Sequence, residues 1–68
     1  MIHNNKKQRL EDTIHDIRSP LNNISMHAEI AKLALNNELP AEQGRASLEA
    51  IIANCKTCSE LLQALVEP

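Results

Sequence analysis

The chain has 68 residues, seven basic and nine acidic side chains, a net charge of −2 and no aromatic residue. This balance lacks the basic surface that binding to nucleic acid needs, and no apolar run approaches the roughly 18 residues of a membrane span. A chain this short needs a disulfide, a metal or a partner chain to be stable. We expect one domain over residues 1–68, soluble and cytoplasmic, as a fragment of a larger protein.

The first predicted element is a long helix over residues 4–36. Its apolar residues follow one another at alternating steps of four and three, which is the spacing of a helix packed lengthwise against another helix. They are Leu10, Ile14, Ile17, Leu21, Ile24, Ala28, Ala31 and Leu35. Pro20 lies inside this pattern. Because an interior proline removes one backbone hydrogen bond, we expect the helix to continue through it with a kink.

A short loop over residues 37–39 and a second helix over residues 40–66 are predicted next. Asn36 and Asn37 tolerate the left-handed conformation that ends a helix, and Pro40 suits the first turn of the next one. The apolar stripe of the second helix is Ala41, Gly44, Leu48, Ile51, Cys55, Cys58, Leu62 and Leu65. Because the loop is short, the two helices must run antiparallel as neighbours.

Further apolar residues lie beside both stripes and make the apolar face wider than one neighbouring helix can cover. They are Met26, Ile30, Leu33, Ile52, Leu61 and Val66. A second copy of the hairpin would cover them. The predicted fold is therefore all-α, an antiparallel two-helix hairpin that forms a homodimeric four-helix bundle.

The candidate chemistry lies around His15, one position off the stripe of the first helix and therefore expected to face water. An imidazole is a competent nucleophile toward phosphorus. Asp16 could orient the ring or take its proton, and Arg18 could balance phosphate charge. Ser19, one helical turn away, could place a water for hydrolysis. The residues alone fit a polar surface pair better than a catalytic site.

The segment TIHDIRSPLNNI, residues 13–24, resembles the H-box of sensor histidine kinases, in their dimerisation and histidine-phosphotransfer domain. The resemblance implies that His15 is the phospho-acceptor and that Asp16 is the base or orienting acid. It places Ser19 where the family most often has Thr or Asn, a position linked to dephosphorylation of the response regulator. Pro20 matches the helix-kinking proline of the family.

The resemblance also implies the partners: a second copy, an ATP-binding catalytic domain and a response regulator receiver domain whose Asp accepts the phosphoryl group. The chain has no Gly-rich phosphate loop and no magnesium constellation. We therefore expect that it binds no cofactor, that ATP and Mg²⁺ are held by a separate catalytic domain, and that the chain alone is inactive with ATP. From geometry, we expect the receiver to dock on Asn22, Asn23 and Met26.

Two other functions remain open from the sequence. One is a non-enzymatic interaction module, including one that binds structured RNA, which the even charge disfavours. The other is a stand-alone phosphorelay carrier.

Three further residue groups suggest no chemistry. Cys55 and Cys58 form a CxxC pair without the second ligand pair of a zinc site, and we expect two buried free thiols. We expect His27 to have a packing or surface role and His3 to lie in a frayed terminus.

Overall fold

In the computed structural model, which describes residues 5–66, the protein is a hairpin of two long helices. Helix α1 spans Asn5–Leu35 and helix α2 spans Ala41–Val66, and the two pack side by side along their length. The hairpin is 57 Å long and 18 Å by 10 Å across. The predicted all-helical hairpin is confirmed. At the loop, α1 ends one residue before its predicted bound and α2 begins one residue after its predicted bound.

The turn between the helices is built on Asn37, which has a φ of 64°. The Glu38 amide donates to the Leu33 carbonyl at 2.9 Å, and the Asn37 amide donates to the Ala34 carbonyl at 3.1 Å. This pair of bonds is the Schellman arrangement that closes a helix through one left-handed residue. The Gln43 amide then donates to the Pro40 carbonyl at 3.0 Å, and α2 begins at Ala41. The left-handed asparagine predicted from the sequence is confirmed.

The seam between the helices does not coincide with the predicted apolar stripes, and this part of the prediction is wrong. On α1 the buried and half-buried residues that follow the heptad spacing are Thr13, Ile17, Pro20, Ile24, His27, Ala31 and Ala34. On α2 they are Gly44, Ser47, Ile51, Asn54, Cys58, Leu61 and Leu65. The seam is therefore lined by small and polar residues as well as apolar ones, and only part of each predicted stripe faces the neighbouring helix.

The remaining stripe residues form a second face, which we call the uncovered apolar face. Its members are all exposed: Leu10, Ile14, Leu21, Ala28 and Leu35 on α1, and Ala41, Leu48, Cys55 and Leu62 on α2. Ile14 and Leu21, expected in the core, are 53% and 51% exposed. Cys55, expected to be buried, is exposed, whereas Cys58 is buried as predicted. One hairpin has only one seam, so half of each apolar stripe has no neighbour within it.

The two halves of the hairpin differ in packing. The loop half runs from Pro20 through the loop to Cys58, and the open half comprises residues 6–19 and 59–66. All residues of the described chain that are buried lie in the loop half: Pro20, Ala31, Gly44, Ser47 and Cys58. A Cβ atom added to Gly44 would lie 2.8 Å from the Ala34 Cβ, so the helices approach closely there because position 44 has no side chain.

Candidate functional site

His15 lies in the open half, on the outer side of α1, and its side chain is exposed as predicted. Ser19 and Arg18 are also exposed, four and three positions further along the helix. With a rise of about 1.5 Å per residue, Ser19 lies about 6 Å beyond His15 on the same side of the helix. The structure therefore places an imidazole, a hydroxyl and a guanidinium on one accessible surface.

Asp16 is exposed too, but it does not stack on His15. Consecutive helical residues point about 100° apart around the axis, so the carboxylate lies on the adjacent strip of the surface. Within residues 6–66, no hydrogen bond or ion pair joins His15, Asp16, Arg18 or Ser19 to another side chain. The imidazole and the carboxylate are thus both free to meet a group that approaches from solvent.

Pro20 is buried in the seam, and α1 continues through it without interruption. Proline has no amide hydrogen, so the Asp16 carbonyl does not receive its usual bond from the residue four positions later. The helix turn that follows His15 therefore has one backbone hydrogen bond fewer than a regular turn. The predicted kink at this position stays a prediction.

The family model of the His Kinase A phospho-acceptor domain matches residues 5–67 of the chain. The match covers both helices, the turn and the segment with His15, Ser19 and Pro20. The chain belongs to the His Kinase A phospho-acceptor domain family. No curated protein and no solved structure is similar enough to match it.

Membership of the His Kinase A family establishes the general role of the hairpin. Such a domain is the phospho-accepting and dimerising part of histidine kinases, which act in two-component signalling. In the described helices, no stretch is both long and apolar enough to cross a bilayer. No three side chains among residues 5–66 are grouped as metal ligands.

The three residues predicted for docking divide into two groups. Asn22 and Met26 are exposed and follow His15 at helical spacing on the same side of α1. Asn23 points toward α2 instead, where its Nδ2 donates to the Oδ1 of Asn54 at 3.5 Å. Asn54 in turn donates to the Ala50 carbonyl at 2.7 Å. The structure therefore brings Asn22 and Met26 together with His15 and leaves Asn23 bridging the two helices.

Two hydrogen bonds between the helices were missed by the sequence reasoning: the bond of Asn23 to Asn54 and one from Arg9. The Arg9 guanidinium donates to the Ala64 carbonyl at 3.0 Å, across the open end of the hairpin. The Nδ1 atom of half-buried His27 lies in the seam without a hydrogen-bond partner among the described residues. No signal in the sequence marks Arg9. The half-buried position of His27 agrees with the packing or surface role predicted for it, and His27 follows the heptad spacing of Pro20, Ile24 and Ala31.

Proposed function

We propose that this chain is the phospho-accepting, dimerising domain of a sensor histidine kinase and that His15 carries the phosphoryl group. The observation that supports it is the exposure of His15 on the outside of α1, one turn from Ser19 and just above Pro20. The reaction uses ATP held by a separate catalytic domain, with Mg²⁺ as the metal, and we place it in the cytoplasm. We expect this chain to hold neither group.

In the first step, the unprotonated ring nitrogen of His15 attacks the γ-phosphorus of ATP. A nitrogen–phosphorus bond forms, the bond to the bridging oxygen breaks, and ADP leaves. The other ring nitrogen carries a proton that becomes acidic, and Asp16 accepts it directly or through one water molecule. Because the transition state is loose, catalysis depends mainly on positioning and on charge. Arg18, three positions after His15 on the exposed surface, would offset phosphate charge.

In the second step, a carboxylate of the receiver domain attacks the phosphorus on His15. The nitrogen–phosphorus bond breaks, an acyl phosphate forms on the receiver Asp, and the imidazole regains its lone pair. Ser19 lies one turn further along, where its hydroxyl can orient a water molecule toward that acyl phosphate. Hydrolysis of the receiver phosphate is the contribution that we assign to Ser19.

The decisive test is labelling with ATP in the presence of the cognate ATP-binding domain. The wild-type chain should acquire an acid-labile, alkali-stable phosphate, and His15→Gln should acquire none. His27→Gln is the matched control, because it removes an imidazole from the same helix at a position that faces α2 and should keep the label. Retained labelling in His15→Gln would end the assignment.

We also propose that the uncovered apolar face joins two copies of the hairpin into a four-helix bundle. Leu10, Leu21, Leu48 and Leu62 on this face are each about half exposed, between 48% and 54%. An open cavity of about 270 Å³ near the loop is lined partly by three members of the face, Leu35, Ala41 and Leu48. Side chains of a second copy would fill this space, and the dimerising role of the family supports this occupant.

The proposed dimer interface is tested by comparing a glutamate introduced on the uncovered apolar face with one introduced outside it. Leu21→Glu should convert the dimer to a monomer in light scattering at micromolar concentration. The sequence pattern predicts that a second copy covers Leu33, but the structure places Leu33 on the outer side of α1, away from this face. Leu33→Glu should therefore leave the dimer intact. The proposed interface is wrong if Leu33→Glu dissociates the dimer as readily as Leu21→Glu does.

For the receiver domain, we propose docking on Asn22 and Met26, with Asn23 acting through its bond to Asn54. Met26 is 51% exposed, which gives a receiver helix an apolar contact beside the polar site. Asn22→Arg and Met26→Arg should slow transfer to the receiver at least ten-fold while labelling from ATP continues. Gln63→Arg, at the open end of α2, should change neither rate. Equal transfer in all variants would exclude this surface.

A further inference from the structure

Arg9 connects the start of one helix to the end of the other. Its Nη2 atom donates to the Ala64 carbonyl at 3.0 Å. Ala64 lies in the last turn of α2, where backbone carbonyls have no partner inside the helix. The last turn of α2 contains no basic residue of its own. Arg9 therefore supplies the cation that favours the negative end of the α2 dipole.

Few packed side chains surround the hydrogen bond between Arg9 and Ala64. Every residue of the open half in the described chain is exposed or half-buried. A second open cavity, about 300 Å³, lies beside the contact and is lined by Lys6, Arg9, Leu10 and Leu65. In residues 5–66, two side-chain hydrogen bonds connect the helices, from Arg9 and from Asn23, and Arg9 makes the shorter one.

We propose that Arg9 is a mechanical link that couples the position of the first turns of α1 to the order of the last turn of α2. A displacement or rotation of α1 at Arg9 withdraws the guanidinium from the Ala64 carbonyl. The last turn of α2 then loses both a hydrogen bond and its charge partner, and it frays. The link would thus pass a change at one terminus of the hairpin to the other without moving the loop half.

This device goes beyond phosphotransfer and would regulate it from the open end. It concerns the ends of the hairpin, and His15 lies six positions further along α1 than Arg9. Failure of the assignment of His15 would therefore leave the link intact, and failure of the link would leave His15 as the acceptor.

The test is amide hydrogen exchange on the full chain, read by NMR at Leu62–Val66. Loss of one charge-assisted hydrogen bond should speed exchange there roughly five-fold or more in Arg9→Ala. Arg9→Lys should give an intermediate rate, because it keeps the charge but not the planar fork. Lys7→Ala removes one positive charge from the same region and should leave these amides unchanged. Amides of Ala46–Ala50 in the loop half should be unchanged in every variant and report on global stability.

Coupling is then tested by weakening α1 at a neighbouring position. Gln8→Gly lowers helix propensity in the first turns of α1. In the wild-type background it should speed exchange at both helix ends, and in the Arg9→Ala background only in α1. Equal effects on Leu62–Val66 in both backgrounds would overturn the link, as would unchanged exchange in Arg9→Ala or an equal rise in Lys7→Ala.

Discussion

The loop half and the open half of this hairpin use the same heptad spacing but reach different packing. In the loop half, Gly44 and Ala34 let the helices approach closely, and Ser47 is only 4% exposed. In the open half, the residues that face the seam, such as Ile17 and Leu65, are half-buried, and none is fully buried. The comparison shows that one heptad spacing is compatible with different packing, because side-chain size determines how closely the helices meet.

This difference suits the chemistry assigned to the open half. His15 precedes Pro20 in α1, and Pro20 lies at the boundary between the two halves. There α1 lacks one backbone hydrogen bond, although the helix itself continues. A loosely packed segment would let α1 adjust to the proposed ATP-binding domain and the proposed receiver domain in turn. The loop half supplies a fixed base for that segment, because its close contacts tolerate little movement.

The largest effect is expected from closing the gap at Gly44. In Gly44→Val, the new side chain would meet the Ala34 Cβ atom, and the helices must separate to admit it. We expect a loss of about 2–3 kcal/mol in the free energy of unfolding, typical of overpacking. Urea unfolding at one fixed protein concentration measures it. Ala46→Val, which adds a similar bulk at an exposed position of α2, should cost less than about 1 kcal/mol. Equal losses would show that close approach does not distinguish the loop half.

A smaller effect is expected at the turn. Asn37 has a φ of 64°, a conformation that a β-branched residue adopts poorly. Asn37→Val should lower the free energy of unfolding by about 1–2 kcal/mol. Asn36→Val, one residue earlier and outside the left-handed region, is the control and should have little effect. Thermal unfolding measures both, and the same loss at both positions would contradict the role of the left-handed residue.

The smallest effect is expected at His27 and has the opposite sign. Its Nδ1 atom is buried without a partner among the described residues, so an apolar side chain of similar size should be preferred there. His27→Leu should raise the free energy of unfolding by about 1 kcal/mol. His15→Leu makes the same change at an exposed position and gains the same helix propensity. The difference in unfolding free energy between the two variants therefore measures the effect of position 27 in the seam. A loss of stability in His27→Leu would indicate that a water molecule or a second chain satisfies Nδ1.

Several features could be predicted from residues near each other in the chain. The heptad spacing predicted two long helices, and Asn36 and Asn37 predicted a left-handed end of α1. The one-position offset from the apolar stripe predicted an exposed His15. The H-box resemblance gave the family. Each depends on local geometry, because helix periodicity, turn conformation and motif spacing are set within a few residues.

The details of the seam could not be predicted in the same way. The expected stripes placed Ile14, Leu21 and Cys55 in the core, whereas the hairpin leaves all three exposed. The hydrophobic pattern identifies which residues avoid water, but it does not say whether the neighbouring helix or a second copy covers them. The residue types of Gly44 and Ser47 do not by themselves indicate burial. In the structure, both residues are among the most buried.

The sequence by itself determined the helices, the turn and the outward position of His15, because these follow from local conformational preferences and the 3.6-residue period. Only the tertiary structure decided which apolar residues meet across the hairpin, that Arg9 reaches Ala64, and that Asn23 bonds to Asn54. Those contacts join residues far apart in the chain, and they depend on the rotation and register of one helix against the other. Rotation and register are set by the summed packing of the whole seam, which no single local segment encodes.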